Sequence, residues 1–276
     1  MFGFIYDGRH IPFTTYLKFS QGFNSLQSNQ LTGIKRTHEL LKNHGQKLKC
    51  ACIYSAGYMS NIVNYCGEEN IHYTIVADYN SAVMERVASV PETDWQTFYD
   101  RDGFNLGWEI AETKYVMGKG KQASRLLIKR QALEEADLFG AHKYYLIVSS
   151  IPEKERTAQD TLHFHNGRGN AEKFIEDAMY GLNLKVVPTG QQHANALYYT
   201  IGMLVFNLIK LRQLTVLPNN WHHSTITSIR HKLIRTVARL VTSGRQLWLV
   251  ITASAKKMMM SIHARNKIYV LIRGLV

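Results

Sequence analysis

Between Phe2 and Ala77 the chain alternates short aromatic or β-branched runs with stretches of helical period, and this order limits the fold more than any other feature. Phe2–Tyr6 and Ile11–Phe19 read as strands joined by an Asp7-Gly8-Arg9 turn. Leu31–Asn43 places Ile34, His38 and Leu41 on one helix face, and Lys47–Tyr54 returns to strand. Met59–Glu68 is helical with Ile62, Val63 and Cys66 inward, and Tyr73–Ala77 is a short buried strand. Such an alternation builds an α/β layered sheet.

The texture then changes. A short helix over Ser81–Val90 stops at Pro91, after which Gly107–Met117, Ser124–Gln131 and Lys143–Ser150 read as successive strands. From Thr157 the spacing predicts helices over 157–184, Ala194–Leu214 and Thr225–Thr242, while Gln246–Val276 has no single period.

Charge is distributed as unevenly as the elements. The formal net charge is +12, yet residues 178–276 carry 13 Lys and Arg and no Asp or Glu, so the whole excess lies in the last third. A basic segment of this kind suggests a polyanion, nucleic acid first. At 45% hydrophobic and 20% charged residues, disorder is not the expected state. Cys50, Cys52 and Cys66 match no zinc spacing, and Cys50 and Cys52 stand too close for an ordinary disulfide, so free thiols in a reducing cytoplasm are expected. No signal peptide is visible in Met1–Tyr6. The apolar run Ala194–Leu211 contains Asn195, Thr200, Asn207 and Lys210, which favours a buried helix over a membrane span. His222 and His223 lack a third metal ligand at useful spacing.

One segment carries the densest chemistry. His165 to Leu182 sets Arg168 and Glu172 four residues apart on a helix, with Phe174, Ala178 and Leu182 keeping an apolar period. It resembles the Tyr-x2-Arg-x3-Glu-x6-Lys signature of insertion-sequence DDE transposases, with His165 at the Tyr position and Met179 at the Lys position. Ile53-Tyr54-Ser55-Ala56-Gly57-Tyr58, followed by a helix ending at Tyr65-Cys66, resembles the strand–turn–helix around the second catalytic Asp of that family. Tyr73–Ser89, Pro91–Trp95, Tyr180–Leu184 and Asn195–Leu197 extend the similarity along nearly the whole chain.

The resemblance implies an RNase H-like mixed α/β sheet interrupted by a mostly β insertion and followed by a helical C-terminal region. The corresponding division is a partial core over 1–77, an insertion over 78–150, a helical return carrying Glu172 over 151–214, and a basic helical region over 215–276. It further implies a DNA transposase that cleaves phosphodiesters and joins strands with Mg²⁺ held by three carboxylates. Hard oxygen ligands on two closely spaced metals clamp the attacking and leaving oxygens in such chemistry.

Here Glu172 matches the third acid, Tyr54 stands at the second, and the strand bearing the first falls upstream of Met1. The expected state is therefore a truncated copy that binds DNA without cutting it, or alternatively a non-catalytic DNA-binding protein that represses or titrates an intact transposase. Asp78 is the acid best placed by sequence to substitute. DNA contacts are expected from Arg168, from Trp95 as a base-stacking ring, from Lys119 and Lys121 at a Gly-Lys-Gly-Lys tip, and from Arg230, Arg235 and Arg239 on a basic helix face. Expected partners are transposon-end DNA and a second copy or an intact transposase, with no membrane. The expected place is the bacterial cytoplasm, on the nucleoid.

Overall fold

The computed structural model describes residues 2–6, 12–17, 29–137, 140–235, 237–252 and 255–273. The Asp7–Arg9 turn lies outside them. The chain divides into two compact units, Ser20–Asn170 and a second made of Phe2–Phe19 with Ala171–Val276.

Within the first unit, α1 (Gln30–Asn43), β3 (Cys50–Ile53), α2 (Ser60–Glu68), β4 (His72–Val76) and α3 (Ser81–Ala88) follow the alternation read from the sequence. Then come β5 (Gln96–Tyr99), β6 (Asn105–Tyr115), β7 (Ser124–Asp137), β8 (Gly140–Ser149) and α4 (Ala158–Asn166). The strands form one mixed sheet in the order β3-β4-β8-β7-β6-β5. β3 and β4 are parallel, and β4 meets β8 antiparallel through Thr74↔Ser149 and Val76↔Ile147. The strands expected of an insertion therefore continue the same sheet. This is a mixed α/β fold of the RNase H-like kind.

Period-two alternation decides which side chains face which layer. Leu126, Ile128, Leu146 and Val148 meet Ile62, Val63, Cys66, Val83 and Val87 of the helices on one face. Leu127 and Ile147, the residues between, meet Phe98, Ile110 and Leu162 of α4 on the other. Each such side chain taken fully out of water contributes about 1.5–3 kcal/mol. Ala51 and Ile53 of β3 belong to the first face. The intervening Cys50 and Cys52 consequently belong to the α4 face.

In the second unit, β1 (Phe2–Tyr6) and β2 (Pro12–Leu17) form a two-stranded antiparallel sheet of their own. The sequence placed these strands in the 1–77 core. Here they dock instead on α5 (Asn170–Gly181) and α6 (Gln192–Thr215), because Phe4 finds Phe174 and Phe206 at ring distances of 6.4 and 6.2 Å. Asn207 secures the hairpin, accepting from the Thr14 amide at 2.8 Å and donating to its carbonyl at 2.9 Å.

α6 is the one helix among the described residues long and apolar enough to cross a membrane. Its polar side chains, however, are engaged by protein. Asn195 bonds Thr189, Lys210 pairs with Asp177, and Gln213 donates to the carbonyls of Trp221 and Ser224.

The expected helix over Thr225–Thr242 is corrected. α7 (Ile226–Ile229) passes into a π turn over Arg230–Ile234, and the chain then forms a hairpin of β9 (Val237–Ser243) and β10 (Gln246–Thr252) before α8 (Ala255–Arg273). The reason is local. Gly244 and Arg245 both take positive φ, 60° and 61°, the two-residue turn that matches strand twist. β-Branched Val237, Val241 and Thr242 suit the flanking strand, and their spacing also satisfies a helical period.

Candidate functional site

Position 54 ends the edge strand β3. Tyr54 caps a short 3-10 turn over Ser55–Gly57, and its carbonyl accepts the Gly57 amide at 2.8 Å. Gly57 is required there, since an added Cβ would lie 2.2 Å from Cγ2 of Ile53. This tight turn launches α2 and leaves the Tyr54 ring partly exposed.

Over that ring lies Arg168, its guanidinium carbon 3.6 Å from the ring centroid. Arg168 sits in a 3-10 turn, Gly167–Gly169, that follows α4. α4 is anchored at its start by Thr157, whose hydroxyl accepts the Asp160 amide at 3.1 Å. At its end Arg101 donates to the His163 carbonyl at 2.7 Å. Nε and Nη1 of Arg168 are buried with no hydrogen-bond partner among the described residues.

Beside it, His165 is fully buried, with Nδ1 2.8 Å from the Thr74 hydroxyl and Nε2 unpartnered among the described residues. Burial first, and Arg168 second, push the imidazole down to about 3, so it is neutral at physiological pH. Cys52 bonds the same threonine. Its thiol is pulled down to about 7 by the hydrogen bond from Cys50, against burial, with Thr74 and Arg168 assisting, while the Cys50 thiol is pushed up. A line Cys52–Thr74–His165 thus crosses the α4 face. Sequence reading missed it, although Cys50, Cys52 and Tyr54 alternate on one side of a strand.

These donors do not suit Mg²⁺, which takes hard oxygen ligands. The Arg168 guanidinium covers the Tyr54 phenol, the neighbouring groups are thiols and an imidazole, and among the described residues no three His, Cys, Asp or Glu side chains come together as a metal centre requires. Asp78 lies instead near Tyr58, whose phenol is pushed up by burial first, by Tyr115 next and least by the charge of Asp78, while burial pushes up the Asp78 carboxyl itself.

In the second unit, Glu172 lies in the first turn of α5, where a carboxylate complements the helix dipole. Arg168 and Glu172 were expected on one helix face, but the 3-10 turn breaks the helix between them. Glu172 lines an open groove with Glu176, Met179 and Lys185. Met179 stands where the resemblance expects Lys, and Lys185, six residues on, supplies the groove's cation; nothing in the sequence period marked it.

The remaining expected DNA contacts are scattered and partly engaged. Trp95 lies under Arg130, 3.8 Å from guanidinium carbon to centroid, and Arg130 is paired with Glu92 and with Glu109 at 2.7 Å. The Lys119–Lys121 tip is tethered to α2, the Lys121 amide donating to Asn64 at 2.9 Å and its ammonium pairing with Glu68 at 2.8 Å. Arg230 donates to the Gly181 carbonyl and so finishes α5. Arg235 follows the π turn, with Nη1 3.5 Å from Nε2 of His231, and Arg239 stands exposed on β9 rather than on a helix face.

Against known proteins, the family described as Transposase DDE domain group 1 matches residues 35–271. Curated proteins give no match.

Proposed function

This chain belongs to the Transposase DDE domain group 1 family, and from that premise we propose that it is an insertion-sequence transposase copy that contacts DNA but has lost the chemistry of cutting it. The observation that carries the reading is the stack of Arg168 on Tyr54. Where the family places a metal-binding carboxylate, this chain presents an uncharged phenol covered by a cation. A guanidinium there repels Mg²⁺, and a phenol is a poorer ligand for that hard cation than a carboxylate. Glu172, at the position of the family's third acid, lines its groove with Glu176 and Lys185, and two-metal phosphoryl transfer needs further carboxylates at the family's other two positions.

DNA contact rests on the 13 basic and no acidic residues of 178–276, which include Arg230, Arg235 and Arg239. Arg168, Trp95, Lys119 and Lys121 belong to the same proposal. Transposon-end DNA is the partner this favours, together with a second copy or an intact transposase, in the bacterial cytoplasm on the nucleoid. The second reading, a DNA-binding repressor or titrator of an intact transposase, is favoured by the same basic third, which serves binding without cleavage.

Two measurements test this. Binding to duplex DNA, followed by fluorescence anisotropy, is expected to weaken with salt at a slope of about −0.9 per phosphate contact in log–log form. Supercoiled plasmid incubated with the protein and Mg²⁺ or Mn²⁺ is expected to stay intact. Metal-dependent nicking that disappears in Glu172→Ala would overturn the loss of chemistry; binding indifferent to salt would overturn the DNA contact.

A further inference from the structure

The two thiols of β3 take no part in the reading above. Cys50 and Cys52 stand half-buried on the α4 face of a strand at the edge of the sheet. Thr74 lies in register with Cys52 on the neighbouring parallel strand. Cys50 donates a hydrogen bond to Cys52, and Thr74 supplies a second. The Thr74 hydroxyl is in turn 2.8 Å from Nδ1 of His165. A hydroxyl that gives its proton to sulfur accepts from the imidazole, so Nδ1 carries the hydrogen. Nε2 of His165, buried and unpartnered among the described residues, keeps its lone pair. Arg168 and Arg156 act on Cys52 by charge, and Nε and Nη1 of Arg168 are buried with no partner among the described residues.

Cys66 is the internal contrast. It is fully buried with Ile62 and Val63 on the opposite face of the sheet, and burial pushes its thiol up to about 12.

We propose that Cys52 is an oxidation site for hydroperoxides, with Cys50 as the thiol that closes it into a disulfide. The Cys52 thiolate sulfur attacks one peroxide oxygen and the O–O bond breaks. The other oxygen leaves as hydroxide and takes up the proton that Cys52 had lost, giving water. Cys52 is then a sulfenic acid. The Cys50 sulfur attacks the Cys52 sulfur, the S–O bond breaks, and a second water leaves with the Cys50 proton. The two thiols have given up two electrons, and one peroxide has taken them.

The surroundings favour each step. The Cys52 thiol lies near 7, so the reactive thiolate is well populated at neutral pH. Residues two apart on a strand are separated by about 6.6 Å, at the far end of the roughly 4.4–6.8 Å that a disulfide spans. The bridge is therefore strained rather than ordinary, and a strained bridge is readily reduced. A structural metal fits less well. Two thiols supply half the ligands zinc takes, and among the described residues no third His, Cys, Asp or Glu joins them.

The test uses the full chain, first reduced and then exposed to equimolar hydrogen peroxide at neutral pH, with peptides read by mass spectrometry after cleavage between Tyr54 and Cys66. The expected product joins Cys50 to Cys52 in a peptide two hydrogens lighter, is restored by dithiothreitol, and leaves Cys66 a free thiol. In Cys50→Ser, which removes the closing sulfur, dimedone is expected to trap the sulfenic acid on Cys52 at least about tenfold faster than on Cys66. A parent chain that stays reduced, oxidation that falls first on Cys66, or Cys52 that accumulates as sulfinic acid without a bridge would overturn the proposal. So would equal dimedone labelling of Cys52 and Cys66 in Cys50→Ser. The parent chain decides the matter alone should Cys50→Ser fail to fold. The DNA assays read a separate quantity, so this inference stands or falls apart from the proposed function.

Discussion

Arg168 lies over the ring of Tyr54, 3.6 Å from guanidinium carbon to ring centroid, although 114 positions separate them in the chain. The contact joins the end of an edge strand to the turn after α4, and it fixes what a restored acid would meet. In Tyr54→Asp the new carboxylate faces a cation already in place, so an ion pair forms before a metal site does. Plasmid nicking with Mn²⁺ is expected to remain absent in Tyr54→Asp alone. Cleavage by that single variant would show that other acids gather around position 54.

His165 makes stability depend on acid. Its folded value of about 3 lies below the ordinary 6.5, so between those values the unfolded chain holds a proton that the folded chain lacks. Stability therefore rises with pH through this window and is lost on acidification, by on the order of 4 kcal/mol from pH 7 to pH 3. Urea midpoints measured from pH 7 to 4 are expected to fall in the parent and to fall less in His165→Gln. Parallel curves for the two proteins would assign the acid sensitivity elsewhere.

The thiol pair gives a sharper readout. Cys52 titrates near 7 chiefly because Cys50 donates to it. In Cys50→Ala the alkylation rate of Cys52, followed by mass spectrometry against pH, is expected to show a higher apparent pKa, moving toward the ordinary thiol value. A midpoint that stays near 7 would mean Arg168 and Thr74 suffice.

Asp177 knits the second unit, accepting the Ile226 amide at 2.8 Å and pairing with Lys210 at 3.3 Å, both partners of the pair being buried. Lys210→Met leaves a buried carboxylate uncompensated and is expected to cost about 3–5 kcal/mol. Adding Asp177→Leu is expected to recover part of that, less the lost acceptor for Ile226. Chemical denaturation of the two variants checks the order; a double variant less stable than Lys210→Met would refute it.

Close helix approach supplies the last prediction. A Cβ on Gly181 would lie 2.7 Å from Cβ of Ile226, a branch point with no room to swing. Gly181→Ala is expected to destabilise by about 1–3 kcal/mol in thermal or urea unfolding. Gly190→Ala, where an added Cβ meets nothing within 4 Å, is the neutral comparison.

Much of this was legible in the residues. Helical period located α1, α2 and α6 because each buries one continuous face, and β-branched runs located β4, β6 and β8. The hairpin of β9 and β10 was not legible as such, since Leu233, Val237 and Leu240 fit a helix as well as a strand, and the Gly244-Arg245 turn decides between them. β5 was missed because Gln96–Tyr99 buries only Phe98. At the site, Arg168, Glu172 and Tyr54 stood out in the sequence only as positions of the family resemblance. The burial of His165 on Thr74 was not, since it joins residues 91 apart that only the sheet brings together.

The bond between Thr14 and Asn207 spans 193 residues, and the whole first unit is encoded between its partners. During synthesis the β1–β2 hairpin leaves the ribosome well before its platform on α6. At about 5–20 residues per second the hairpin waits roughly 10–40 s for that platform. An isolated two-stranded hairpin is marginal in water, so Phe4 stays unsheltered throughout that delay while residues 29–170 complete their sheet. The hairpin therefore reaches its own native packing only after the 193 residues that separate Thr14 and Asn207 have been made, long after its strands themselves were available.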